Sequence, residues 1–236
     1  MSDLVLVEER GDVALVALNR PDKRNAISRA LSFRLREALA ELQRAKVVIL
    51  TGEGPAFCAG VDLTERRDPN WADALGVDDA QHWLETLQAV HRHPAVVVAA
   101  VNGPAIGGGM TLVNASDLAV ASERATFGAP ELSFGSFPAL SGSSAVKRLL
   151  PKHAAQLVFT ARPVSAATAE RWGLVNEVVE HDALRERAWE LAESIAAWEA
   201  PALAFAKRAL DELAALDWSR ALEQGVLVSA LTRRLA

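Results

Sequence analysis

The stretch Ala95-Val96-Val97-Val98-Ala99-Ala100-Val101-Asn102-Gly103-Pro104-Ala105-Ile106-Gly107-Gly108-Gly109 decides the fold. Its first part, Ala95 to Val101, is an uninterrupted apolar run too short for a core helix and rich in β-branched residues, which predicts a strand covered on both faces. Asn102-Gly103-Pro104 ends that strand, and Gly107-Gly108-Gly109 opens an apolar helix. A second segment has the same form: the apolar run Lys46 to Thr51 leads to the turn Ala56-Phe57-Cys58-Ala59-Gly60-Val61-Asp62-Leu63. Buried strands feeding tight turns and helices make an α/β core.

Working outward, Leu4–Glu8 and Val13–Leu18 flank Arg10-Gly11-Asp12 and read as a β-hairpin. After the polar loop Arg20–Asn25, Ser28 caps a helix whose leucines 31, 35, 39 and 42 recur at helical spacing. Between Glu65 and Asp79 the pattern dissolves into charges, Pro69, Asn70 and Gly76, which predicts a mobile loop forming part of a pocket wall. Trp83, Leu87 and Val90 restore helical spacing until Pro94, and Leu118–Ala121 is a third short strand. Past Pro138 helices take over, over Ser143–Leu150, Ser165–Trp172, Asp182–Trp198 and Pro201–Leu216. The division expected is a core over residues 1–175 and a helical region over 176–236.

Of the 236 residues 50% are apolar and 23% charged, enough nonpolar surface to offset the entropy of ordering the chain. No apolar run approaches the roughly 20 residues a bilayer needs, and the N-terminus carries no signal-like segment, so the expectation is a cytoplasmic protein without membrane attachment. A net charge of −5, spread along the chain, gives no footprint for nucleic acid. One cysteine, Cys58, excludes an internal disulfide and reads as a small buried residue rather than a nucleophile. His91 and His93, two apart, point in different directions on a helix, and no metal site is expected.

Glycine lets a ligand approach the backbone, and a helix start leaves N–H groups without internal partners. Two such turns side by side would aim two donors at one oxygen, an oxyanion hole. The phosphate loop, the dinucleotide GxGxxG and the GxSxG elbow are all missing from the sequence.

Five segments in order, RNAI (24–27), AFCAGVDL (56–63), NGPAIGGG (102–109), FGAPEL (127–132) and RWGLVNEVV (171–179), resemble the crotonase, or enoyl-CoA hydratase/isomerase, superfamily. The resemblance runs from about residue 5 to about residue 225. It implies an α/β crotonase-like spiral of ββα units, a helical C-terminal trimerisation region with a homotrimer or dimer of trimers, and an acyl-CoA thioester as substrate. No cofactor is implied, coenzyme A being part of the substrate. By the same resemblance the N–H groups of Val61 and Gly108 form the oxyanion hole and Glu131 moves the proton. Arg24, Ala26, Ala59, Asp62, Leu63, Gly107, Pro130, Phe134 and Leu140 line the substrate site. From the residues alone, Glu131 reads equally as a first-turn acidic residue complementing a helix start, Asp62 and Asp117 as turn holders, and Phe127, Phe134 and Phe137 as pocket walls or plain core.

The sequence departs from the family in three places. Hydratases of the family use two glutamates; where the first would stand, two residues past the glycine triplet, this chain has Thr111. One carboxylate suffices to move a proton between carbons, whereas water addition is handicapped, so the resemblance implies an isomerase-like enzyme or a slow hydratase. A non-catalytic acyl-CoA-binding homologue, or a thioester hydrolase or decarboxylase, is the alternative. In place of the family's GAGGTQ-like stretch stands Ala139-Leu140-Ser141-Gly142-Ser143-Ser144, whose hydroxyls either reshape the acyl pocket or cap the next helix. The sequence ends at Ala236, short of the basic helix that relatives place over the acyl-CoA, which leaves Lys23, Arg24, Lys207 and Arg208 as cationic candidates.

Overall fold

The computed structural model describes residues 3–66 and 77–232. In chain order its elements are β1 (Val5–Arg10), β2 (Val13–Leu18), α1 (Arg29–Glu41), β3 (Val47–Gly52), α2 (Leu63–Arg66), α3 (Val77–His91), β4 (Val96–Val101), β5 (Ala105–Ile106), α4 (Gly108–Ala115), β6 (Leu118–Ser122) and β7 (Thr126–Gly128). There follow α5 (Ser141–Arg148), α6 (Pro151–Thr160), β8 (Val164–Ser165), α7 (Ala166–Arg171), β9 (Glu177–Val179), α8 (Leu184–Ala196), α9 (Ala200–Leu213) and α10 (Trp218–Thr232). The loop expected over Glu65–Asp79 is bounded by α2 and α3, and its centre, 67–76, lies outside the described residues.

Six strands form one sheet in the order β1-β2-β3-β4-β6-β9, with β1 antiparallel to β2 and every other pair parallel. The run of apolar residues in β2 and β3 is explained by burial on both faces: all six residues of each strand are buried. On one face Val16, Leu18, Val48, Leu50, Val97 and Val101 pack with Leu31, Leu35 and Leu39 of α1 and Val90 of α3. The other face, Val13, Leu15, Val47, Ile49, Val98 and Val120, is covered by Leu184, Ala188, Trp189 and Ala192, which share one stripe of α8. Ser28 caps α1 as expected, its hydroxyl accepting from the Leu31 N–H at 3.0 Å. Both β9 and α8 lie beyond residue 175 and pack within or upon the main sheet, so the sheet continues past the boundary drawn there.

A smaller sheet, β5-β7-β8, stands beside the main one, with β5 and β7 parallel and β7 and β8 antiparallel. It holds the glycine triplet and the Phe127–Leu132 segment together, because β5 leads directly into α4 and β7 directly into the 3-10 turn Pro130–Phe134.

Candidate functional site

The carboxyl ends of β3 and β4 release two loops that are stitched into one surface. Asn25 is the stitch on one side. It adopts a left-handed conformation (φ +55°), which asparagine tolerates, and is fully buried. Its side-chain oxygen accepts from the Arg20 N–H at 2.8 Å and its amide donates to the carbonyls of Glu53 and Ala56 at 2.9 and 2.8 Å. The segment 58–62 is then held between two partners by backbone hydrogen bonds. Ile27 N–H donates to the Gly60 carbonyl at 2.8 Å and Asp62 N–H to Ile27 at 2.9 Å; Cys58 N–H donates to Pro104 at 3.1 Å and Ile106 N–H to Cys58 at 3.0 Å.

This ladder leaves out the N–H of Val61, and the N–H of Gly108 is an orphan because Gly108 is the first residue of α4. Neither is donated to a backbone carbonyl among the described residues. The two segments touch: a Cβ built on Gly60 would lie 3.7 Å from the Gly108 nitrogen. Gly107 precedes that nitrogen at φ +53° and ψ −113°, outside the left-handed helical region, a combination that strains any residue with a Cβ.

Glu131 approaches the same turn. Its Oε1 would lie 3.1 Å from a Cβ at Gly107, so the carboxylate fills the space a side chain there would take. Ser141 donates to Oε1 at 2.6 Å, while Oε2 is buried with no partner among the described residues. An unpartnered buried acceptor costs about 1–3 kcal/mol, more if charged.

Thr111 stands one helical turn into α4, at 1% exposure, and both its hydroxyl functions are committed. It donates to the Gly108 carbonyl at 2.6 Å and accepts from the Trp83 indole N–H at 3.1 Å. Trp83, carried by α3, also lies against Gly108, 3.2 Å from where a Cβ would be. The volume a second acid would occupy is therefore packed with an indole and a locked hydroxyl.

The remaining expected site residues divide. Ala59 donates its N–H to the Arg24 carbonyl at 3.0 Å, and the Ala26 carbonyl accepts from Arg20 Nη1 at 2.6 Å, so Arg24, Ala26 and Ala59 lie at the joined loops. Arg24 is exposed, as is Leu63; Pro130 and Leu140 are half-buried beside Glu131 and Ser141 in the chain. Asp62 is occupied otherwise: one oxygen is paired with Arg20 at 2.9 Å and the other accepts from the Thr64 N–H at 3.0 Å. Burial opposes its charge, but the Arg20 hydrogen bond, the Thr64 amide and the Arg20 charge outweigh it and hold the carboxyl below the usual range. That arrangement fits the turn-holding reading of Asp62. Phe127 is fully buried core rather than a wall, and Phe134 is 71% exposed.

Lys207 drops out as a cationic candidate, and Cys58 is the small buried residue expected. Lys207 is paired with Asp117 at 2.8 Å and donates to the Ala95 carbonyl at 3.0 Å; burial pushes its ammonium below the ordinary lysine range despite that partner. Its place is to pin α9 to the start of β4, not to meet a phosphate. Cys58 is fully buried, and desolvation pushes its thiol up to about 12. His93 lies against backbone at both ring nitrogens, Leu39 O at 3.0 Å and Ala95 N at 3.2 Å, and burial lowers its pKa. Nothing in the sequence signals the roles of Arg20 and Trp83; for Asn25 the RNAI segment is the visible signal, and for the Ser141–Glu131 bond the departure at 139–144.

Two glycine turns that end buried parallel strands thus lie together, each with an N–H outside the backbone ladder, and Glu131 lies beside one of them, an arrangement compatible with the crotonase class of acyl-CoA enzymes. The chain belongs to the enoyl-CoA hydratase/isomerase family, whose profile matches residues 8–231. It is similar to a probable enoyl-CoA hydratase of Rhizobium meliloti, 38% identical over 89% of this chain and 81% of that one. It is similar too to a Mycobacterium tuberculosis protein named (7aS)-7a-methyl-1,5-dioxo-2,3,5,6,7,7a-hexahydro-1H-indene-carboxyl-CoA hydrolase, 39% identical over 85% of this chain and 82% of that one. Among solved structures, an enoyl-CoA hydratase of Mycobacterium smegmatis superposes with a TM-score of 0.92 at 30% identity, covering 98% of this chain and 91% of the other.

Proposed function

We propose that this acyl-CoA enzyme shifts a carbon–carbon double bond in an enoyl-CoA and adds water poorly. The amides of Val61 and Gly108 receive the thioester oxygen. Glu131 takes a proton from the α-carbon, the C–H electron pair passing into an enolate that the two N–H dipoles favour over the ground state. The same carboxyl then returns the proton to the γ-carbon and the double bond moves into conjugation with the carbonyl, with no atom gained or lost. The observation that carries this reading is that Thr111, which stands where the family's first glutamate would, is committed to Trp83 and Gly108, so this position offers Glu131 no second acid to hold a water. Arg24, exposed at the loop junction and without an ion pair among the described residues, is the cation proposed for the coenzyme A phosphates.

The test is conversion of a 3-enoyl-CoA to its conjugated isomer, followed by ultraviolet absorbance, against hydration of the 2-enoyl-CoA. Isomerisation is expected to exceed hydration, and Glu131→Gln to lower kcat for isomerisation at least tenfold. Undiminished turnover by that variant refutes the role of Glu131. A second reading is hydrolysis of an acyl-CoA, which the relative named as a carboxyl-CoA hydrolase favours without its name giving the bond cut; release of free CoA marks hydrolysis at the thioester. Trimer formation belongs to the same proposal: Trp198, Leu210, Trp218, Leu222, Val226 and Leu227, on or beside α9 and α10, are 56–79% exposed in the single chain. Light scattering that gives a monomer overturns it.

A further inference from the structure

We propose that Ser141 is the positioning residue of Glu131, fixing Oε1 so that Oε2 is the oxygen that exchanges the substrate proton. The inference rests on the enolate reading above and goes beyond it by assigning a separate residue and a separate atom. Three observations carry it. Ser141 is 1% exposed and gives its only hydroxyl proton to Oε1 at 2.6 Å, while Oε2, equally withdrawn from water, receives no hydrogen bond among the described residues. A carboxylate oxygen that already accepts a short hydrogen bond is the less basic of the two, so a proton arriving at Glu131 goes to the other. Ser141 does not serve its own helix: the residue before α5 is Leu140, with no side-chain cap, so the hydroxyl is free of the alternative helix-capping duty.

The helix that carries Ser141 is itself tied to the helix that carries the Gly108 amide. Asn114, on α4, donates to the Ser144 hydroxyl at 2.8 Å, and Ser144 donates to the Ser141 carbonyl at 3.1 Å. Arg148, at the end of α5, donates to the carbonyls of Asn114 and Ser116 at 2.9 and 3.3 Å, closing the far end of the same contact. Glu131, by contrast, sits on a five-residue 3-10 turn with little of its own to hold a carboxylate. The Ser141 hydroxyl is thus the link that sets Glu131 at a fixed distance from the amide meant to receive the thioester oxygen, and such placement is where a displacement of about 1 Å costs on the order of a hundredfold in rate.

The experiment measures isomerisation of a 3-enoyl-CoA and exchange of the α-protons of butyryl-CoA with D2O, by NMR, for the full chain and three variants. Ser141→Ala is expected to lower kcat and the exchange rate by roughly tenfold or more while KM and the calorimetric Kd for butyryl-CoA stay within about twofold, because no substrate contact is lost. Ser141→Thr, which keeps the hydroxyl, restores most of the rate, and Ser143→Ala, in the exposed part of the same turn, behaves as wild type. Wild-type rates in Ser141→Ala overturn the inference alone. So does a loss that falls equally on KM and on thermal stability and is not recovered by threonine. A wild-type protein that neither exchanges nor isomerises overturns the enolate reading and this inference with it.

Discussion

Replacing Thr111 by valine keeps its shape and removes only the oxygen, and the structure fixes what that oxygen does. It accepts from the Trp83 indole N–H at 3.1 Å and donates to the Gly108 carbonyl at 2.6 Å, in a place 1% and 4% exposed at the two side chains. Without it the indole N–H is buried with no acceptor, a cost of about 1–3 kcal/mol. The Gly108 carbonyl loses its side-chain donor but remains at the start of α4, where the helix offers it a partner, so its share is about 0.5–1 kcal/mol. Thr111→Val should therefore destabilise the fold by about 1.5–4 kcal/mol, read from urea unfolding at fixed protomer concentration so that any association is held constant. In a Trp83→Phe background the indole N–H is already gone, and the same substitution should cost less than about 1 kcal/mol, leaving a coupling of about 1–3 kcal/mol between the two positions. Additive effects, within about 0.5 kcal/mol, refute the account. They would mean that Thr111 is not held by Trp83.

Asp62→Asn breaks the buried pair with Arg20 and should cost about 3 kcal/mol near neutrality. Because the folded carboxyl sits below its unfolded value, its contribution is complete above about pH 4 and is lost as pH falls through the folded value; unfolding of the variant followed by fluorescence should show a flatter acid limb than wild type. Cys58, with its thiol pushed up to about 12, should resist an aromatic disulfide reagent at pH 8 in the native protein and react within minutes in denaturant; prompt native labelling would contradict its burial. Gly107→Ala, forcing a Cβ towards Oε1 of Glu131 at a positive φ, should lower kcat more than it raises KM in the isomerisation assay, and an unchanged kcat would separate that carboxylate from the chemistry.

The sequence by itself determined the elements with a clear period and the residue types of the site. Apolar runs bounded by glycine became β3 and β4, leucines four apart became α1 with its Ser28 cap, and the glycine triplet opened α4. Glu131 and Thr111 are singled out by the resemblance to the family, since the residues alone leave Glu131 open as a first-turn acid. Other parts were illegible for physical reasons. The two-residue strands β5 and β8 are too short to show any alternation, α6 was not expected, α10 was expected only as an undivided part of the helical region over 176–236, and the place of β9 at the end of the main sheet depends on a partner over fifty residues away. What only the tertiary structure decided is which polar atoms meet. Asn25 binds Glu53 and Ala56, Trp83 binds Thr111, and Ser141 binds Glu131, and each bond joins segments from different elements. A hydrogen bond depends on two atoms arriving within about 3 Å at the right angle, a condition set by how helices and strands pack and not written in the spacing of either partner along the chain.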